Sequence, residues 1–142
     1  MSGISPATQL EIGALLSEFA DRVDEGRAAT VHELFVPAGR IETPAFVLEG
    51  RDKIRERFTA RANDKSRKSR HYWSNARFSG SDAEVTVVTN VMTVIAVSGG
   101  PTTLMSGSST DVLVRDGNQW RFKSRRLGVT AEGVLGPLEA PR

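Results

Sequence analysis

The sequence contains no cysteine among its 142 residues. This absence excludes disulfides, thiolate metal sites and a thiol nucleophile. It fits a reducing compartment, and we expect a cytoplasmic protein. The two histidines, His32 and His71, are too far apart to give a metal-ligand spacing. A P-loop, a dinucleotide fingerprint and a serine nucleophile elbow are also missing. We therefore expect no metal and no cofactor.

Long apolar runs and a strong net charge are also lacking. No stretch approaches the roughly 20 apolar residues that span a bilayer. The segment from Met1 to Thr8 does not have the pattern of a signal peptide, so no membrane association is expected. The net charge of +2 is too small to indicate a nucleic-acid partner. A local basic loop is more often a solvated surface, and no aromatic stacking partners are evident beside this one. Its members are Arg61, Lys65, Arg67, Lys68 and Arg70.

The length and composition suit one globular domain covering residues 1–142. Hydrophobic residues make up 39% and charged residues 25%, which is the ordinary range for a chain that folds. A chain of this length can bury a core without disulfides. We predict a core of about residues 5–128 and a tail over 129–142, where glycine and proline interrupt the pattern.

The first half has the punctuation of helices. Ser5 and Pro6 form a typical helix start, and Gly26 a helix end. Between them, apolar residues recur at helical spacing at Ile12, Leu16, Phe19, Ala20 and Val23. Further along, the pattern predicts a short helix over 27–35, strands over 39–43 and 45–48 broken by Pro44, and a third helix over 52–61.

The second half is rich in β-branched residues and turn signals. Strands are predicted over 71–79, 83–97, 104–115 and 119–127, separated by glycine-containing turns. Helices followed by a long meander indicate an α+β fold. N-terminal helices packed on an antiparallel sheet would leave a concavity suited to a small ligand.

Asp24 and His71 are the first candidates for chemistry. Asp24 lies at the edge of the apolar stripe of the first helix, four residues after Ala20. A carboxylate bonded to one imidazole nitrogen fixes the tautomer and leaves the other nitrogen free as a base. The alternative is a solvated carboxylate and a structural histidine.

Three further positions could line the same pocket. Strand alternation places Trp73 and Asn75 on the face of His71, where they would form pocket walls. The alternatives are that Trp73 belongs to the core and that Asn75 caps a backbone group. Arg125 could stabilise developing negative charge. However, alternation from Phe122 points Arg125 outward, so it can turn inward only if the strand bulges after Phe122.

Four motifs in order resemble the SnoaL-like family of the nuclear transport factor 2 superfamily. They are the run Phe19 to Arg27, the helix start Gly50 to Ile54, the strand Arg70 to Asn75, and Gly117 to Phe122 with Arg125. The resemblance implies a cone-shaped α+β barrel whose helices pack on a strongly curved sheet. The motifs are nearest to those of scytalone dehydratase and hexachlorocyclohexane dehydrochlorinase.

The resemblance also implies a function. The two enzymes carry an Asp–His dyad that their motifs place on Asp24 and His71, and the dehydrochlorinase has a pocket arginine that matches Arg125. The expected activity is that of a cofactor-free lyase or isomerase, with Phe19 helping to shape the pocket. Val23 stands where scytalone dehydratase has tyrosine, and Phe19 where the dehydrochlorinase has a polar residue, so neither substrate is implied.

The same fold leaves other functions open, because a fold does not fix a function. The chain could bind a small ligand without chemistry, or serve as a structural or assembly subunit with a filled concavity. The resemblance also implies a homo-oligomer, either a dimer or a trimer.

Overall fold

A computed structural model shows the chain from residue 3 to residue 136. Its elements are the helix α1 (Pro6–Asp24), a 3₁₀ helix (Ala28–Leu34), β1 (Phe35–Glu42), β2 (Val47–Glu49), the helix α2 (Arg51–Asn63), β3 (Arg67–Gly80), β4 (Glu84–Val97), β5 (Thr102–Asp116) and β6 (Gln119–Val134). Within this part of the chain, neither helix is long and apolar enough to cross a bilayer.

The helix α1 begins and ends where its capping residues predict. The Ser5 hydroxyl accepts a hydrogen bond from the backbone N–H of Thr8 at 3.1 Å, and Pro6 occupies the first turn. Gly26 follows the helix with a φ of 84°, a conformation that glycine adopts without strain. The buried face of the helix is the predicted apolar stripe. Its end position matters because it fixes where Asp24 can reach.

The six strands form one mixed sheet in the order β2-β1-β6-β5-β4-β3. The four long strands are antiparallel, and β1 pairs with β2 in the same way. β1 runs parallel to β6, so the prediction of a wholly antiparallel sheet was wrong. The sheet is curved but not closed, because β2 and β3 are free edges in the described structure. The α+β class is confirmed, with an open cone in place of a barrel.

Several element boundaries differ from the sequence pattern. β1 begins at Phe35, and Pro37 falls within its irregular pairing with β6, where no ladder hydrogen bond is lost. The basic residues from Arg67 to Arg70 belong to β3, so they are not a loop. β6 continues through 129–134, where a tail was predicted, because these residues pair with β5. The end of the predicted tail, 137–142, lies outside the described residues.

The core lies between the two helices and the concave face of the sheet. Four phenylalanines form its centre, with ring centroids 5.1–6.2 Å apart and mostly in edge-on geometry. They are Phe19, Phe35, Phe58 and Phe122. Phe35 and Phe122 are fully buried, whereas Phe19 is partly buried on the side toward β6. This cluster closes one end of the concavity and leaves its polar groups nearer the opening.

Candidate active site

Asp24 and His71 are in direct contact. The Asp24 Oδ1 lies 2.6 Å from His71 Nδ1, within hydrogen-bond distance. The backbone N–H of His71 donates to the Asp24 Oδ2 at 2.8 Å, and the Ser69 hydroxyl donates to Oδ1 at 2.7 Å. Only 3% of the Asp24 side chain is exposed. The carboxylate is therefore held by three hydrogen bonds in a nearly dry environment.

The fold explains why residues 47 positions apart meet. Asp24 is the last residue of α1, and β3 is the edge strand beside it. Ser69 and His71 alternate onto the inner face of this strand, so both side chains reach the same carboxylate. The sequence analysis missed Ser69. The available signal was its position two residues before His71.

The hydrogen bonds keep Asp24 ionised. Burial alone would raise the pKa of this carboxyl group, because it disfavours the charged form. The hydrogen bonds from the His71 ring, the Ser69 hydroxyl and the His71 amide outweigh burial and hold the pKa below its ordinary value of 3.8. Asp24 is thus an anion at neutral pH and accepts the Nδ1 proton of a neutral imidazole.

This arrangement leaves the second ring nitrogen of His71 available. No described residue forms a hydrogen bond with Nε2, and 32% of the His71 side chain is exposed. On β4 the cross-strand neighbour of His71 is the buried Thr93, so the ring stands on the concave face. With the Nδ1 proton directed at Asp24, Nε2 is a proton acceptor open to a ligand.

Arg125 faces inward, as the sequence allowed only if the strand bulged. The pairing of β6 with β5 shifts by one residue between Phe122 and Ser124, which makes Lys123 the extra residue. Arg125 therefore shares the inner face with Phe122. Its guanidinium carbon lies 4.2 Å from the centre of the Phe19 ring. This cation–π contact gives Phe19 a role in shaping the interior.

Arg125 is already paired with an acid that the sequence analysis missed. Its Nε donates to Asp111 Oδ1 at 2.9 Å and its Nη2 to Oδ2 at 3.1 Å. Asp111 is fully buried and also accepts a hydrogen bond from the Ser109 hydroxyl at 2.8 Å. The signal for Asp111 was its alternation with the apolar Leu113. The interior thus contains a neutralised ion pair, and only Nη1 of Arg125 has no acceptor among the described residues.

Trp73 lies on the same face as His71, but it packs against α1. Its indole Nε1 donates to the Ser17 hydroxyl at 3.2 Å, and the ring is partly buried at the edge of the core. The tryptophan therefore joins the helix to the edge strand, next to the dyad. It combines the two alternatives of pocket wall and core residue.

Asn75 does not line the concavity, and its prediction as a pocket wall was wrong. It is exposed and has a φ of 56°, in the left-handed region. The pairing of β3 with β4 shifts between Ser74 and Arg77, so Asn75 lies in a bulge that reverses the alternation. Ala76 and Phe78 consequently face the core in place of Asn75 and Arg77.

A cavity of about 430 Å³ adjoins Asp24, but it is not centred on the dyad. Asp24 and Ser69 line it, whereas His71, Trp73 and Arg125 do not. The Nε2 side of His71 thus opens elsewhere, onto the concave face. Within residues 3–136, no group of three or more acidic or histidine side chains is placed to hold a metal ion.

The family model for the SnoaL-like domain matches residues 7–126. The chain belongs to the SnoaL-like family. No curated protein is significantly similar to this SnoaL-like chain.

Several solved structures share the fold. A Novosphingobium aromaticivorans protein assigned as a scytalone dehydratase has a TM-score of 0.84 at 22% identity, over 94% of this chain and 91% of that one. A type 2 hexachlorocyclohexane dehydrochlorinase gives 0.82 at 17%, over 95% and 94%. A second Novosphingobium aromaticivorans protein, assigned as an aromatic ring hydroxylase, gives 0.83 at 18%, over 93% and 96%. These different assignments on one fold establish the architecture and leave the function to the site.

Proposed function

We propose that this SnoaL-like protein is a cofactor-free lyase or isomerase that removes a proton from a small, mostly apolar organic molecule. His71 is the general base, and Asp24 is the group that orients it. The observation that carries the proposal is the contact of 2.6 Å between Asp24 Oδ1 and His71 Nδ1, with Nε2 left open. The assignment of two structural relatives as a dehydratase and a dehydrochlorinase supports elimination as the reaction type.

In this reaction Nε2 takes a proton from carbon while a neighbouring leaving group departs. The imidazolium that forms is stabilised by the buried carboxylate, because the opposite charges are in contact in a nearly dry environment. Asp24 also holds the His71 backbone through Oδ2, so the ring is fixed at both its amide and its side chain. The base therefore needs little reorganisation to accept the proton.

Arg125 supports this chemistry from a different part of the interior. Its strand position pairs with Asp111, which in turn pairs with Val87, whereas His71 pairs with Thr93. The two residues share the concave face but are not cross-strand neighbours. Since Asp111 balances its charge, Arg125 offers one N–H direction to a developing negative charge and no net positive charge. This favours a neutral substrate over an anionic one.

A homo-oligomer fits the outer face of the sheet. Tyr72 and Met92 are cross-strand neighbours there, and they are 53% and 38% exposed. Burying them against a second copy would remove apolar surface from water. Light scattering coupled to size exclusion would give the oligomeric state.

The test uses substrates that have an acidic C–H beside a leaving group, with scytalone and hexachlorocyclohexane as the first members. Chloride release and ultraviolet absorbance report turnover. We expect His71→Ala to lower kcat/KM by about 10²–10⁴-fold, and the control Arg77→Ala, at an exposed position of the same strand, to retain the wild-type rate. A folded His71→Ala protein with wild-type turnover would refute the role of the base.

The second candidate function is ligand binding without chemistry. The observation that favours it is the 430 Å³ cavity, which Asp24 lines and His71 does not. In this case calorimetry would detect binding of a panel member, Asp24→Asn would change its affinity, and no product would form at any enzyme concentration.

A further inference from the structure

The cavity beside Asp24 is a separate feature from the concave face of the sheet. It lies between the ends of α1 and α2 and the beginning of β3, and its volume is about 430 Å³. Small-molecule sites generally have volumes of about 300–1,000 Å³. Part of its wall is apolar, formed by Val23, Ala62, Val94 and Ala96. The proposed elimination chemistry uses none of these side chains.

The charged residues of this cavity are unbalanced. Five cations line it, namely Arg61, Lys65, Arg67, Lys68 and Arg70, together with the three acids Asp24, Glu25 and Asp64. Each acid is already engaged: Asp24 by His71 and Ser69, Glu25 by Arg70, and Asp64 by Ser66. Of the five cations, only Arg70 forms an ion pair within residues 3–136. Four positive charges therefore share one cavity without a bonded counterion.

Arg67 shows the clearest deficit. Its Nε is buried and has no hydrogen-bond partner in the described structure. Burial lowers the pKa of this guanidinium below its ordinary value, the nearby Arg61 cation lowers it further, and Asp64 only partly offsets these effects. Burying a cationic donor without a partner costs free energy. An anion in the cavity would satisfy the free N–H and reduce the repulsion between the two arginines.

The donor set defines the ligand. Guanidinium groups bind phosphate through paired N–H donors, and lysines add positive charge. Four uncompensated cations suit a doubly charged group better than a single carboxylate. No aromatic side chain lines the cavity, so the stacking that single-stranded nucleic acids require is missing from it. We propose that this cavity binds the phosphate group of a small molecule, with Arg61 and Arg67 as the principal ligands and the apolar wall against its organic part.

The position of Arg61 links this site to the dyad. Its Nη2 donates to the Ser69 hydroxyl at 3.2 Å, and that hydroxyl donates to Asp24 Oδ1. A phosphate that engages Arg61 thus lies two hydrogen bonds from the carboxylate that orients His71. Binding in the cavity should therefore be visible in the NMR signals of the His71 ring as well as in those of the cavity residues.

The experiment is an NMR titration of the full chain with inorganic phosphate and with phenyl phosphate at constant ionic strength, using sodium acetate as the control anion. We expect saturable shifts at the cavity residues for the phosphates and none for acetate. Tighter binding of phenyl phosphate would identify an organic phosphate as the ligand. Equal affinities would identify free phosphate.

The matched variants are Arg67→Gln in the cavity and Arg126→Gln at an exposed position of β6, which change the net charge equally. Arg67→Gln should weaken phosphate binding roughly tenfold or more, and Arg126→Gln should change it less than about twofold. Lys68→Gln provides a second cavity variant if Arg67→Gln does not fold. Equal losses in the cavity variant and the Arg126 variant, or no saturable shifts with either phosphate, would overturn the proposal.

Discussion

Replacing Asp24 with asparagine tests the electrostatics of the dyad most directly. The carboxylate accepts three hydrogen bonds at 2.6–2.8 Å, and its side chain is 3% exposed. An asparagine keeps one acceptor oxygen and presents an NH₂ group where the second oxygen stood. One or two of the three contacts are therefore lost, and the charge that strengthens all of them disappears. At about 1–2 kcal/mol for each contact, the free energy of unfolding should fall by about 2–4 kcal/mol.

The loss should depend on pH in a defined direction. The folded-state pKa of Asp24 lies below its ordinary value of 3.8 because its hydrogen bonds outweigh its burial. The stabilisation is therefore fully present above about pH 4 and is lost as the pH falls through the folded-state pKa. Urea unfolding of both proteins at pH 7, 5, 4 and 3 would give the difference in unfolding free energy between them. We expect this difference to be constant from pH 7 to pH 5 and to shrink below pH 4.

The control is Asp21→Asn, which changes an exposed acid on the same helix and should cost less than about 0.5 kcal/mol. A difference between wild type and Asp24→Asn that is the same at pH 7 and pH 3 would refute the ionised, hydrogen-bonded carboxylate. Catalysis should change too. An asparagine NH₂ facing Nδ1 would favour the tautomer with its proton on Nε2, which cannot act as a base.

Three further substitutions test other contacts. Ser69→Ala removes the hydroxyl that donates to Asp24 at 2.7 Å, so the Asp24 pKa should rise and urea unfolding should show a loss of about 1–2 kcal/mol. Asp111→Ala leaves the Arg125 guanidinium, whose side chain is 15% exposed, without its partner. It should cost about 3–5 kcal/mol in the same assay, whereas Asp111→Leu combined with Arg125→Met should cost less. Gly107→Ala places a Cβ 1.9 Å from the Gly128 carbonyl oxygen, so thermal unfolding should show a clear drop in Tm, and an unchanged Tm would contradict the close approach of the strands.

The sequence predicted the elements better than the directions of their side chains. The start of α1 was readable because Ser5 and Pro6 satisfy the first turn locally. The parallel pairing of β1 with β6 was not readable, because it joins segments more than 80 residues apart and β1 contains a proline and an irregular register. Local patterns carry no information about such a pairing.

The candidate site shows the same division. Alternation correctly placed His71 and Trp73 on one face, but it failed at Asn75, where a non-glycine residue adopts a positive φ and the strand bulges. For Arg125 the need for a bulge could be stated in advance, because the apolar Phe122 fixed the inner face. Asp111 was missed because a buried acid in a strand is unexpected until its partner is known.

The bulge at Lys123 separates the length of β6 from the direction of its side chains. Phe122, Ser124 and Arg125 already pair with three consecutive residues of β5, from Leu113 to Asp111. A chain lacking Lys123 would keep the same pairs in a regular ladder, with Arg125 still directed at Asp111. Loss of Arg126, by contrast, would turn Leu127 and the following side chains to the opposite face. A relative one residue shorter at this bulge would thus retain the interior ion pair, whereas one shortened three positions later would have a different inner surface beyond it.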